Sequence, residues 1–142
     1  MDAWEAAAES RRSGGSVRRR PRSDPYEKID AESFARQWIE AWNGRNLEAV
    51  LSHYSDSVVF HSPRIAVVTG EAKQSVNGKA ELRRYWTRAL ELAPDLHFEL
   101  SSVLVGSDAL TILYRNHRGQ NAAETLLFGA DGLVVQGIAA FG

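Results

Sequence analysis

Glu124 stands in the string AAETLLF, where Ala122, Ala123, Thr125 and Leu126 otherwise read as a buried strand. A carboxyl in such surroundings is either paired with a cation or has its pKa raised by desolvation. In the second case it is a general acid or hydrogen-bond donor. The cations within reach are Arg115 and Arg118, on the preceding strand and its RG turn, and the residues alone leave both roles open. A second candidate lies in SVVFHSP, residues 57–63, where an apolar run meets His61, Ser62 and a proline that cannot donate to a ladder. Neighbours on a strand point to opposite faces, so His61 and Ser62 cannot form a nucleophile–base pair with each other. If Ser62 faces a pocket, His61 faces outward. The chain lacks a G-x-S-x-G elbow, which favours Ser62 as a polar lining residue over a nucleophile.

His97 and Glu99 share one strand face and Arg115 and His117 another, but neither pair has a third member at metal-ligand spacing. The chain has no cysteine, which excludes disulfides and thiolate metal sites and fits a reducing, cytoplasmic setting. No metal and no cofactor is expected. Aromatic residues are the larger signal: Trp38, Trp42, Tyr54, Phe60, Tyr85, Trp86 and Tyr114. Rings on apolar helical faces are usually core. In a hollow fold, part of that core faces the cavity.

The elements that must position these groups follow from periodicity. Phe34, Trp38, Ile39 and Trp42 keep helical spacing after Asp30, a plausible N-cap, and Gly44 ends that helix. Asn46 caps a second, shorter helix carrying Leu47, Val50, Leu51 and Tyr54. A strand ends at Pro63, and residues 64–78 suggest a short strand and a loop with two glycines. KAELRRYWTRALELAP then sets Leu82, Tyr85, Trp86, Ala89 and Leu90 on one helical stripe that stops at Pro94. Four strands follow at 96–105, 109–117, 120–128 and 133–141, joined by the hairpin-length turns GSD, RG and ADG. This order predicts an α+β fold, a cone in which a curved, mostly antiparallel sheet wraps three helices of the N-terminal half. Cavities of that kind are common homes of small ligands.

At 142 residues, with 44% hydrophobic and 25% charged side chains, the composition is that of one ordinary globular domain. Residues 29–142 are assigned to it, and residues 1–28 to a disordered basic tail. Six arginines against three acids give residues 1–22 a net charge of +3, and the remainder carries −4. The tail allows electrostatic contact with nucleic acid or an anionic membrane. Without interleaved aromatics it carries little specificity, so a solvated extension is preferred. No apolar run reaches the ~18 residues of a membrane span, and no secretory h-region follows the N-terminus.

The strings WIEAWNGRNLEAVLSHYSDSVVFHSP (38–63), NGKAELRRYWTRAL (77–90), PDLHFEL (94–100) and FGADGLVVQGIAAF (128–141) resemble the nuclear transport factor 2-like superfamily. The resemblance is to its SnoaL-like and ketosteroid-isomerase-like members and covers residues 30–142. That architecture hosts isomerases, cyclases, epoxide hydrolases, dehydratases and non-catalytic binders. Against the isomerases, the resemblance puts Ser62 where they have the general-base aspartate. Trp38 stands for the oxyanion-hole tyrosine and Trp86 for a supporting tyrosine, Tyr54 is retained, and Glu124 stands for the protonated aspartic acid. Base and main phenolic donor are thus both replaced, which argues against steroid-type isomerisation. The epoxide-hydrolase pattern of two aspartates around an arginine is absent.

The expected site therefore has Glu124 as acid or donor, with Trp38, Tyr54, Phe60, Ser62, Trp86 and Tyr114 lining a cavity. Asn116 or Arg115 offers a polar contact near its mouth. The many rings imply a narrow pocket and a compact, largely apolar ligand. Either an isomerase, cyclase or lyase, or a non-catalytic binding or assembly module, fits this set. The later strands carry apolar residues on both faces, Ile112 and Tyr114 against Leu113 and Leu126 and Phe128 against Leu127. One wet face would alternate more cleanly. Relatives commonly cover the second face by pairing, so a homodimer through the outer sheet face is expected.

Overall fold

The computed structural model describes residues 28–142, and the arginine-rich segment with its expected disorder lies outside them. Helix α1 (Lys28–Asn43) buries Ala31, Ala35, Trp38, Ile39 and Trp42 along one stripe, the spacing of a core-facing helix. Its end is a Schellman turn: Asn46 N–H donates to Ala41 O at 2.8 Å and Arg45 N–H to Trp42 O at 2.9 Å. The left-handed residue of that turn is Arg45 (φ 56°) rather than Gly44. A side chain there costs on the order of 1 kcal/mol or more. The Arg45 guanidinium offsets it by donating to Ala93 O at 3.0 Å and to Leu90 O, carbonyls at the end of a later helix that also accept from Leu96 and Ala93 N–H.

Helix α2 (Leu47–Leu51) begins where Asn46 Oδ1 accepts from Ala49 N–H at 3.1 Å, as the sequence indicated. Tyr54 is not part of it and opens strand β1 (Tyr54–His61) instead. Its spacing from Leu47 and Val50 suits either element. The decision is non-local: Val134 N–H donates to His53 O at 2.9 Å and Tyr54 pairs with Val134, which draws the chain into the sheet.

The stretch after Pro63 also differs from expectation. Residues Arg64–Thr69 form helix α3, and the strand, β2, is confined to Ser75–Asn77. The run Ile65, Ala66, Val67, Val68 has strand propensity, but proline near the start of a helix and a left-handed Gly70 (φ 75°) at its end frame one turn and a half of helix. Four helices therefore stand among the described residues, the last being α4 (Lys79–Leu92), which buries Leu82, Tyr85, Trp86 and Leu90.

Strands β3 (Glu99–Gly106), β4 (Ala109–Arg115), β5 (Asn121–Phe128) and β6 (Val134–Phe141) form the meander. The six strands run in the order β2-β1-β6-β5-β4-β3, antiparallel except where β1 meets β6. Register shifts in β1, β3 and between Leu127 and Phe128 add twist, curving the sheet without closing it. The result is the α+β cone, with helices on the concave face. Alternation then sets the two surfaces of the wall. Ala122, Glu124 and Leu126 point inward, beside Leu110, Ile112 and Tyr114 of β4. Gly137 lies opposite Phe60, and a Cβ there would stand 3.0 Å from the Phe60 ring, so glycine lets that ring lie against the wall.

Candidate functional site

Between α1, α3, α4 and the concave face lies a cavity of about 210 Å³. That is larger than the ~150 Å³ that holds a benzene and smaller than the ~300–1,000 Å³ of drug-sized sites. Trp38 and Trp42 reach it from α1, Tyr85 and Trp86 from α4, Phe60 from β1 and Tyr114 from β4. The rings interlock edge-to-face: Trp42 and Trp86 have centroids 5.0 Å apart at 84°, and Phe60 and Trp86 5.2 Å apart at 67°. Such contacts hold the chamber's shape. Asn43 fixes one wall, its Oδ1 accepting from Phe98 N–H at 2.7 Å and its Nδ2 donating to Phe98 O at 2.9 Å.

Glu124 lies on the cavity wall, 3% exposed, in register with Ile112 and Ala139 on its neighbouring strands. Its one side-chain hydrogen-bond partner among the described residues is the Tyr114 hydroxyl, which donates across a long 3.5 Å. Pairing with Arg115 or Arg118, the alternative left open by the sequence, does not occur. Tyr114 faces inward and Arg115 outward, where its guanidinium donates to Gly119 O at 3.3 Å, and Arg118 stands exposed at the rim. Burial consequently pushes the Glu124 pKa up to about 8, and the weak Tyr114 bond pulls only slightly the other way. At neutral pH the group is mostly a carboxylic acid, a donor rather than an anion. Tyr114 is pushed well above the ordinary phenol value by burial and then by the charge on Glu124.

The other expected groups divide. Phe60, Ser62, Trp86, Trp38, Tyr114 and Asn116 all line the cavity. Tyr54 does not. It is fully buried behind Trp38 and Trp86, where its hydroxyl accepts from Trp38 Nε1 at 3.1 Å. That bond also engages the indole N–H of Trp38. Ser62 Oγ accepts from Arg64 N–H at 3.1 Å, holding the turn into α3. His61 faces the outer side of the sheet, with Nε2 3.3 Å from Gln136 Nε2. Asn116 is buried and organises the β4–β5 turn: Oδ1 accepts from Arg118 and Gln120 N–H at 3.0 Å each, and Nδ2 donates to Gln120 Oε1 at 3.0 Å. Arg115, the alternative to Asn116 at the mouth, points away because it occupies the outward phase of β4.

The cavity residues outside the expected lining include Tyr85, His117 and Arg64. Tyr85 stands beside Ser62, whose hydroxyl opposes part of the upward shift that burial gives the phenol. His117 lies at the rim with Nε2 3.7 Å from Asp95 and with Nδ1 buried and unpartnered. Arg64 reaches the wall from the start of α3, and only recognition of that helix could have placed it. Among the described residues no three His, Asp or Glu side chains converge as a metal ion requires.

The profile of the SnoaL-like domain matches residues 35–141. The chain belongs to the SnoaL-like family. A SnoaL-like protein of unknown function from Burkholderia thailandensis is 42% identical, with a TM-score of 0.74 over 79% of this chain and 93% of that one. AclR from Streptomyces galilaeus, provisionally called a hydroxylase, is 20% identical with a TM-score of 0.63, covering 82% of this chain and 91% of that one. A Kribbella flavida protein provisionally called a ketosteroid isomerase is 17% identical with a TM-score of 0.57, covering 82% and 80%. The last two establish a shared fold and nothing about activity. No curated protein matches the chain.

Proposed function

We propose that this SnoaL-like domain binds a compact, largely apolar small molecule and presents Glu124 to it as a protonated carboxyl. The observation that carries the reading is that Glu124 is buried at the wall of an aromatic cavity with no cation beside it among the described residues. A neutral carboxyl in that position donates a hydrogen bond to a ligand oxygen or delivers a proton to it, as an isomerase, cyclase or lyase requires. The second reading is a binding module without turnover. It is supported by the engagement of Ser62 in a turn and of Trp38 with Tyr54, which leaves Glu124 without an evident base partner. A fragment screen by protein NMR against the wild type and Glu124→Gln tests the pocket. Loss of fragment binding in a variant of unchanged fold supports the proposed role, and unchanged binding removes it.

The outer sheet face supports a homodimer. Leu104, Thr111, Thr125, Ile138 and His61 follow one another in register across five strands, and Ser102, Leu113, Ala123 and Ala140 form the next row. Neither row holds Lys, Arg, Asp or Glu, and Leu104 and Ile138 are 56% and 41% exposed. Two adjoining rows without charge, across four and five strands, fit the same rows of a second copy. Among the described residues no helix is long and apolar enough to cross a membrane. The cysteine-free sequence supports a cytoplasmic location.

A further inference from the structure

Arg64 stands at the cavity wall, part-buried, and is held only by neutral groups. Its Nη2 donates to Gln120 Oε1 at 2.9 Å, and its Cζ lies 4.6 Å from the centroid of the Phe141 ring. Gln120 is itself fixed by Asn116. Other part-buried cations face carboxylates: Lys73 lies between Glu71 and Glu81, Arg83 grips Glu48, and Lys79 stands by Asp56. Arg64 has no carboxylate partner among the described residues, and its Nε and Nη1 have no protein acceptor there. The guanidinium is half-buried, and its open N–H groups are not sealed from the cavity, so they are free to meet an acceptor that a ligand brings. Its field reaches the chamber, since the Arg64 charge pulls the Tyr85 and Tyr114 phenols down against their burial.

We propose that the ligand carries a carboxylate, which Arg64 binds at the mouth while an apolar ring occupies the aromatic chamber behind it. The inference rests on the pocket reading and narrows its ligand to ring-bearing small acids. Guanidinium and carboxylate match as two parallel hydrogen bonds, and the second Nη2 hydrogen, not given to Gln120, supplies that fork together with the N–H beside it on Nε or Nη1. Phe141 and Gln120 hold the fork in place before the ligand arrives, so little side-chain entropy is lost on binding. Glu124 raises no repulsion to an anion while it remains protonated. The size of the cavity suits one ring with a short acidic arm.

The test uses cinnamate and cinnamamide, which share a ring and arm and differ in charge, titrated into the full chain and followed by tryptophan fluorescence. Trp38, Trp42 and Trp86 line the cavity and report on it directly. Cinnamate is expected to bind at least about tenfold more tightly than the amide, a difference of ~1.4 kcal/mol. In Arg64→Gln, cinnamate falls to the level of the amide while the amide is unchanged. Equal affinities in the wild type overturn the inference and leave the pocket reading standing, with no dependence on how the variant folds. A preference for the acid that survives Arg64→Gln also overturns it. Failure of both probes to bind removes both readings.

Discussion

Replacing Glu124 with glutamine should shift stability relative to wild type in the variant's favour as pH rises. The ordinary carboxyl value is 4.5, and in the folded protein burial raises it to about 8. Below the lower value both folded and unfolded chains hold the proton, and stability is at its full level. Between the two values the folded chain keeps a proton that the unfolded chain has released, so stability falls as pH rises, by ~1.4 kcal/mol per unit. Above the upper value both are ionised and the penalty is constant, with a ceiling of roughly 5 kcal/mol. Glutamine has no such penalty. The stability of Glu124→Gln minus that of wild type should therefore sit at a fixed offset near pH 4 and rise by roughly 3 kcal/mol by pH 7. The offset reflects how well the amide finds partners, and the slope reflects the carboxyl alone. Other groups that titrate in this window, such as His53, are common to both proteins and cancel. Urea unfolding followed by tryptophan fluorescence at pH 4, 5, 6, 7 and 8 measures the difference. A flat difference would mean that Glu124 titrates as if in water. A difference that falls with pH would mean a paired, ionised carboxylate and would refute the site as described.

Three further outcomes test the surroundings. Gly137→Ala places a Cβ 3.0 Å from the Phe60 ring and should cost about 1–3 kcal/mol of stability by overpacking, read as a lowered Tm; an unchanged Tm would mean the ring is not held against the wall. Arg45→Ala loses two hydrogen bonds to the end of α4 but keeps the left-handed backbone, and should cost about 1–2 kcal/mol in urea unfolding, with Arg45→Gly recovering about half; equal stabilities of wild type and alanine variant would dismiss the capping role. Leu104→Glu puts a carboxylate in an uncharged row of the outer face and should turn a dimer into a monomer in sedimentation at micromolar concentration, whereas a monomeric wild type would end the dimer proposal.

Periodicity located the long elements because their signal is local. The stripe Trp38, Ile39, Trp42 and the turns GSD, RG and ADG are each decided within a few residues. Tyr54 and residues 64–69 were misread because spacing there suits two structures, and the choice rests on a parallel strand and a proline-led turn that come from distant or subtler contacts. The burial of Glu124 was legible from its alanine and leucine neighbours. Its lack of a cationic partner among the described residues was not, since that depends on register: Ala122 pairs with Tyr114, which commits Arg115 to the opposite face. Arg64 was invisible for the same reason, being set by a helix that the sequence disguises as a strand.

A buried carboxyl that weakens the fold as pH rises is poor structural material, and an apolar residue of similar size at position 124 would serve the wall better. Arg64 on the same cavity is a cation whose anchors are a ring and an amide, with no carboxylate partner among the described residues. Around these two groups some chamber polar groups are engaged, Trp38 donating to Tyr54, Asn43 closing on Phe98 and Ser62 completing a turn, while Trp42 Nε1 and His117 Nδ1 on the same lining are buried without a partner. Strain and uncompensated polarity concentrate where a protein meets something else. A ligand that brings an anion to Arg64 and an oxygen to Glu124 answers both at once. Its binding should then be tightest below the Glu124 pKa of about 8, where the carboxyl is a donor, and weaken above it as ionisation puts a second negative charge into the cavity. A cinnamate affinity that is flat from pH 6 to pH 9 would uncouple the two groups.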